Sequence, residues 1–150
     1  MKIVVDTNIV FSAILSTETK IGDLLMNSKG IFEFYTGHCL LEEIQEHRER
    51  LKELSELNEE DFETAKSFIF SKITFLSENL IPFEYWQKAA ELVRDVDMDD
   101  ISFVSLNNYL GAKLWTGDKT LLKHLRHRMG YELCVSTAEL LAIREDIRKK

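Results

Sequence analysis

Two aspartates follow strand-like segments at opposite ends of the chain. Asp6 comes directly after the apolar, β-branched run Lys2–Val5, and Asp118 follows the similar run Ala112–Thr116 after one glycine. If both runs are parallel strands of one sheet, the two carboxylates face the same crevice at its carboxyl edge. The small polar residues placed to support these acids by hydrogen bonds are Thr7, Asn8 and Thr116. Each aspartate could instead simply cap the helix predicted after it.

A dense run of acids lies between these two positions. Asp95, Asp97, Asp99 and Asp100 fall within six residues, directly before an apolar segment. Carboxylates packed this closely raise one another's pKa unless a cation or a hydrogen-bond donor compensates. The alternative is a solvated loop in which Asp97 and Asp100 form a variant of the helix capping box. Asp100 also suits the electropositive first turn of a helix.

A fourth candidate acid lies on a predicted long helix, His38–Leu54. At about 100° per residue, its leucines and Ile44 form one apolar stripe, and Glu43 falls at the margin of that stripe. Glu42 lies on the opposite, solvated side. An acid at the border of a buried face can reach a half-buried cleft; the alternative is that Glu43 merely flanks the core. A slip of one residue in the register would exchange Glu43 for Glu42.

The elements that must position these acids alternate between strands and helices, which predicts a mostly parallel sheet with helices on both faces. The predicted strands are Lys2–Val5, Phe32–Thr36, Ile73–Leu76, Ala112–Thr116 and Glu132–Val135. The other predicted helices are Thr7–Leu15, Ile21–Ser28, Glu59–Ser71, Tyr85–Arg94, Asp99–Leu110, 119–127 and Thr137–Ile147.

Composition limits the function classes. The chain has 150 residues, 45% of them hydrophobic, without repeats or linkers, which predicts a single domain over 1–150. The net charge of −7 argues against coating nucleic acid by bulk electrostatics, but not against local contact.

The two cysteines, Cys39 and Cys134, lack the spacing of a zinc site and are expected to be small buried residues. No signal peptide or membrane-spanning run is apparent, which favours a cytoplasmic location without membrane contact.

Four ordered motifs resemble those of the PIN-domain family. They are Val4–Asn8, Leu41–Ile44, Asp97–Leu106 and Leu114–Asp118, and together they extend the resemblance over about residues 2 to 140. The resemblance implies a three-layer α/β/α fold, four acids that bind Mg²⁺ or Mn²⁺, and cleavage of phosphodiester bonds, usually in RNA. Many small members are VapC-type toxins of toxin–antitoxin pairs, and many are homodimers, which implies an antitoxin partner and a second copy of this chain.

By this resemblance the four acids are Asp6, Glu43, Asp100 and Asp118. Asp97 matches an accessory acid and Thr116 a supporting hydroxyl residue. One departure from the family is the polar stretch 105–108, Ser-Leu-Asn-Asn, where relatives have small apolar residues; it is expected to affect packing more than chemistry. Oxygen-only ligands favour hard cations such as Mg²⁺ or Mn²⁺ over zinc.

The basic residues after Asp118 could contact the RNA backbone, or could simply form a solvated helix with favourable charge at its end. The residues concerned are Lys119, Lys123 and Arg126. Two other functions stay open from the sequence. One is a receiver-like or phosphatase-like domain with a phosphoacceptor aspartate, which normally needs a lysine near that aspartate, whereas Lys113 begins a strand. The other is a non-catalytic interaction domain.

Overall fold

The computed structural model describes residues 1–150, in which five parallel strands form one sheet between α-helices. The strands are β1 Lys2–Val5, β2 Glu33–Gly37, β3 Ile73–Leu76, β4 Lys113–Trp115 and β5 Cys134–Val135. The helices are α1 Thr7–Leu15, α2 Lys20–Met26, α3 Cys39–Glu46, α4 Arg48–Ser55, α5 Glu59–Phe70, α6 Phe83–Val93, α7 Ile101–Leu110, α8 Lys119–Lys123 and α9 Thr137–Arg148. Short 3-10 turns occupy Glu78–Leu80 and Met98–Asp100, and a π-helical turn occupies His124–Arg128.

Strand β1 lies at the centre of the sheet, whose order is β3-β2-β1-β4-β5. Val5 pairs with Trp115 of β4, and the amide of Asp6 donates to the Trp115 carbonyl at 3.3 Å. The chain passes outward from β1 to β2 and β3, and then returns to β4 on the other side of β1. The connections after β1 and β4 therefore diverge and leave a crevice beyond the carboxyl ends of these two strands, which is where open α/β sheets bind ligands.

Two hydrophobic clusters cover the two faces of the sheet. Alternate residues of a strand point to opposite faces. Ile3, Val5 and Trp115 join a cluster with apolar residues of α1 to α5 and α9. Val4 and Leu114 join the other cluster, with α6, α7 and α8. The predicted three-layer α/β/α sandwich is confirmed.

The predicted long helix His38–Leu54 is wrong, because the chain bends at His47 and forms α3 and α4. The His47 backbone leaves helical geometry at φ −102° and ψ 13°, and its ring packs edge-on to Phe11 of α1 at 5.8 Å. The bend lets α4 cross α1, where Leu51 enters the core. Arg48 then pairs with Glu63 of α5 at 2.6 Å.

The helix predicted over residues 119–127 also changes form partway along. It is α-helical to Lys123 and then widens, since the amide of Met129 donates to the carbonyl of His124, five residues earlier, at 3.2 Å. The wider turn accompanies two contacts with other parts of the chain, the first buried and the second partly buried. His124 Nε2 bonds to the Leu92 carbonyl at 3.0 Å, and Arg126 donates to the Cys134 carbonyl at 2.6 Å.

Gly111 ends α7, as predicted, in the left-handed conformation with φ 62°. An added Cβ would meet no atom within 4 Å, so only backbone strain opposes it. We expect Gly111→Ala to lower the free energy of unfolding by about 1 kcal/mol, measured by urea denaturation. Gly117→Ala is the matched control, since its backbone is outside the left-handed region and its added Cβ would make an ordinary contact with Ile9 at 3.7 Å. Equal losses in both variants would contradict this explanation.

Several surface expectations stay predictions. Four aromatic residues are candidates for the apolar face of a homodimer. Phe83 and Phe68 are exposed, at 72% and 52%, whereas Phe70 and Trp86 pack partly against the two clusters. The homodimer and the single-domain organisation are not tested by these contacts. Cys134 is buried and Cys39 half-buried, and both are free thiols. No helix has both the length and the apolar character needed to cross a bilayer.

Candidate metal and nucleic-acid site

Asp6 lies at the carboxyl end of β1 and is 3% exposed. Its Oδ1 atom accepts from the Ile9 amide at 3.0 Å and caps α1. The pKa of this carboxyl is raised to about 6, chiefly by burial, and the nearby charge of Asp118 contributes to the rise. The Thr116 side chain and the backbone amides of Ile9 and Asn8 oppose the rise. Asp6 is therefore an N-cap, as the alternative interpretation predicted. Its pKa is nevertheless raised, so the capping hydrogen bond does not fully offset the cost of burying the charged carboxylate.

Asp118 lies across the crevice, three residues after β4. Its Oδ1 accepts from the amides of Thr120 and Leu121 at 3.0 and 3.1 Å, so it caps α8 as the alternative interpretation predicted. The buried Thr116 hydroxyl accepts from the Asp118 amide at 3.0 Å. Thr116 therefore fixes the turn that brings Asp118 toward Asp6.

Asp100 is the acid least used by the fold. The predicted capping box does not form, because Asp97 Oδ1 accepts from the Asp99 amide at 2.9 Å rather than from Asp100. Asp100 occupies the N-cap position of α7 and makes no side-chain capping bond. Its pKa is raised to about 7, chiefly by burial and then by the charges of Asp6, Asp97, Asp118 and Asp99, in that order. A carboxylate held among other acids, without a donor to compensate, is typical of functional sites.

Glu43 lies on α3 near the other end of the acidic run, where its charged neighbour is Asp99. It is half-buried, and burial raises its pKa, with the Asp99 charge contributing. The nearby Thr7 hydroxyl is buried and makes no hydrogen bond. Glu42 is exposed. These positions favour Glu43 over Glu42 as the site glutamate.

The pair Glu42 and Glu43 gives a matched test. If this site cuts nucleic acid, as the resemblance implies, Glu43→Gln is expected to slow the cleavage by about 10- to 100-fold, because it removes one partner of a charged site. Glu42→Gln removes the same charge one residue away and should leave the rate within about twofold. Initial cleavage rates of the two variants at one metal concentration make the comparison. A larger loss in Glu42→Gln would move the site glutamate to that residue.

The structure thus brings together Asp6, Asp100 and Asp118, with Asp97 beside Asp100 and Glu43 on the Asp99 side. Asn8 contributes its backbone, while its side chain is exposed. Asp99 has no role predicted from the sequence, although its charge acts on both Asp100 and Glu43. It lies in the 3-10 turn Met98–Asp100, and the acidic run is the only feature of the sequence that points to it.

These acids do not form a preassembled ligand cluster. No three His, Cys, Asp or Glu side chains are arranged so that they could hold a metal ion together. The donor set nevertheless fits a hard divalent cation, since every candidate donor is an oxygen. The uncompensated Asp100 carboxylate and the unpartnered Thr7 hydroxyl are further oxygens at this edge. A cation placed among them would offset the repulsion that raises the pKa of Asp6 and Asp100.

The basic residues after Asp118 separate into two groups. Lys119 and Lys123 are exposed and form no ion pair. Arg126 instead bonds to both carboxylate oxygens of Glu139 at 2.9 Å, besides the Cys134 carbonyl. Arg126 therefore holds α9 against the sheet edge, which makes it the weakest of the three RNA-contact candidates.

Comparison with known proteins agrees with this architecture. The sequence model of the PIN domain family matches residues 4–134. A solved structure of VapBC2 from Rickettsia felis, bound to a DNA fragment from their promoter, aligns with a TM-score of 0.68. That alignment has 15% identity and covers 91% of this chain and 98% of the other, so it supports the fold alone. No curated protein has a significant match.

Proposed function

The chain belongs to the PIN-domain family, and on that premise we propose that it is a metal-dependent endoribonuclease. PIN domains are generally nucleases, so hydrolysis of nucleic acid is the activity expected of the family. RNA as the substrate, and Mg²⁺ or Mn²⁺ as the cofactor, are the proposal. The observation that carries it is Asp100, a half-buried carboxylate without a structural bond beside Asp6 and Asp118.

Each residue has a distinct part in this proposal. Asp6 and Asp100 are the principal metal ligands, and Asp118 and Glu43 complete the site directly or through water. When bound, the cation supplies Lewis-acid activation of water and neutralises charge on the phosphoryl oxygens. Thr116 holds the Asp118 turn through its 3.0 Å bond, and Asp97 holds the 3-10 turn that carries Asp100. No histidine or lysine is required as a general base.

We further propose that the chain is the toxin of a toxin–antitoxin pair, with a cognate antitoxin as its protein partner. Its small size and the likeness of its fold to a VapBC2 structure support this role. Expression in a bacterial host tests it: the toxin role predicts growth arrest by the chain alone, and relief of that arrest when a cognate antitoxin is co-expressed. Growth unaffected by the active chain would oppose the toxin role but not the nuclease.

Cleavage of labelled oligonucleotides tests the nuclease proposal. Matched mixed-sequence RNA and DNA strands are incubated with Mn²⁺, Mg²⁺ or EDTA. The proposal predicts internal cuts in RNA with either metal and none in EDTA, and slower or no cutting of DNA. Failure of the folded protein to cut a broad RNA pool in any metal would overturn it and favour the non-catalytic interaction domain.

A further inference from the structure

A groove lined mainly by basic residues lies beside the acidic site. It encloses about 700 Å³ between α8 with its π-helical turn on one side and the residues after α6 on the other. Lys119, Lys123, His127 and Arg128 line the first side, and Asp95 is the one acid in the lining. We call it the basic groove. In a chain with net charge −7, such a concentration of cations needs a separate explanation.

The cations of the groove are not used by the fold. Lys119, Lys123 and Arg128 are exposed and take part in none of the ion pairs or side-chain hydrogen bonds of the protein. Arg126 and His124, in the same stretch, are both held by buried carbonyls. Within the π-helical turn, His124 and Arg126 therefore stabilise the fold, whereas His127 and Arg128 are available to the groove. Helical segments of this kind are frequent at functional sites.

Both walls of the groove are adjacent along the chain to residues of the acidic site. Helix α8 begins directly after Asp118, whose carboxylate caps it, so Lys119 is the neighbour of a site acid. The opposite wall, Asp95 and Val96, is followed at once by Asp97 and the turn that carries Asp100. A chain of phosphates lying in the groove would therefore be directed to the carboxylates.

We infer that the basic groove binds the backbone phosphates of single-stranded RNA next to the bond that is cut. The inference rests on the proposed function, because it gives that site its substrate path. The acidic site repels a polyanion, and unpaired lysine and arginine side chains placed beside it offset this repulsion. Lys119 and Lys123 lie one helical turn apart and face the groove together. Asp95 weakens the binding.

Binding of a labelled 20-nucleotide mixed-sequence RNA tests the inference, measured by fluorescence anisotropy from about 50 to 300 mM KCl. The protein carries Asp100→Asn so that the RNA stays intact. We expect Lys119→Ala/Lys123→Ala/Arg128→Ala to weaken binding by about 10- to 100-fold at 100 mM salt. The slope of log affinity against log salt should fall by about 2, since each lost phosphate contact removes about 0.7.

A matched triple, Lys29→Ala/Lys149→Ala/Lys150→Ala, removes the same charge from exposed positions that form no ion pair. It should change affinity less than about threefold. Asp95→Asn should tighten binding by about two- to fivefold, a gain that misfolding cannot produce. Equal losses in the two triples, or no effect of the groove triple, would overturn the inference.

The outcome is separable from that of the nuclease proposal. If wild type cuts RNA but the groove triple binds and cuts as wild type does, the groove inference fails while the nuclease stands. If RNA binds through the groove and no metal supports cutting, the nuclease proposal fails while the groove stands. In an active enzyme, we expect the groove triple to act mainly by raising KM.

Discussion

Asp100→Asn is expected to abolish RNA cleavage, with a loss of about 1000-fold or more. The charges of four other acids act on the Asp100 carboxylate, which makes no side-chain capping bond to the helix that it precedes. Its proposed role is to hold the cation, whose charge stabilisation is worth several kcal/mol, and about 4 kcal/mol corresponds to 1000-fold. Single-turnover cleavage of a labelled RNA in Mn²⁺ measures the loss.

The same substitution is expected to stabilise the metal-free protein. Asn keeps the size of Asp and removes a charge that Asp6, Asp97 and Asp118 repel. Proteins commonly gain stability when a strained functional residue is replaced. Asp95→Asn is the matched control, since it removes an exposed charge from the same loop and should retain cleavage. An Asp100→Asn variant that is inactive because it is unfolded would show a lower, not higher, melting temperature in EDTA.

The second large effect concerns pH and metal. Without metal, the free energy of unfolding is expected to fall as the pH rises from about 4 to 8. The pKa values of Asp6 and Asp100 rise from 3.8 to about 6 and about 7 on folding, so the folded state binds protons more tightly than the unfolded chain. The stabilisation is complete below about pH 4 and is lost as the pH passes through 6 and 7. Solvent screens the contribution of Asp100, which is only half-buried. The stability lost between pH 4 and pH 8, from both residues together, is therefore on the order of 3 kcal/mol.

Divalent metal should reverse this loss at pH 8. A ligand that binds only the folded state at 100 times its Kd adds about 2.7 kcal/mol to stability. Urea denaturation at pH 5 and pH 8, with Mn²⁺ or EDTA, separates the two effects. The Asp6→Asn/Asp100→Asn double variant is the control, and both its pH dependence and its response to Mn²⁺ should be much reduced. If Mn²⁺ did not change the stability of the wild-type protein at pH 8, the proposal that Asp6 and Asp100 are metal ligands would be contradicted.

The placement of Asp6 and Asp118 could be predicted because each depends on a local pattern and one general rule. An apolar strand followed by an acid places that acid at the carboxyl edge of a parallel sheet, and the structure brings both acids to the crevice between β1 and β4. Strand β1 and helix α1 were predicted with their observed bounds, since their β-branched and apolar residues agree with their burial.

The features that could not be predicted depend on distant contacts. No glycine or proline marks the bend at His47, which follows from packing on Phe11 and from Arg48 reaching α5. The π-helical turn depends on Leu92 and Cys134, which meet it only in the folded chain. Asp97 accepts a hydrogen bond from the Asp99 amide rather than from the Asp100 amide, because a 3-10 turn forms here. The acidic run is compatible with that turn but does not predict it. The functional roles of the four acids stay a proposal.

The most direct test of the carboxylate–metal proposal is the single-turnover rate of RNA cleavage as a function of Mn²⁺ concentration, with wild type and Asp100→Asn measured together. We predict a rate for wild type that rises from the EDTA baseline to saturation, and a rate for Asp100→Asn that stays near that baseline. A wild-type rate independent of Mn²⁺, or an Asp100→Asn rate that follows the wild-type curve, would contradict the proposal that these carboxylates bind metal to cut RNA.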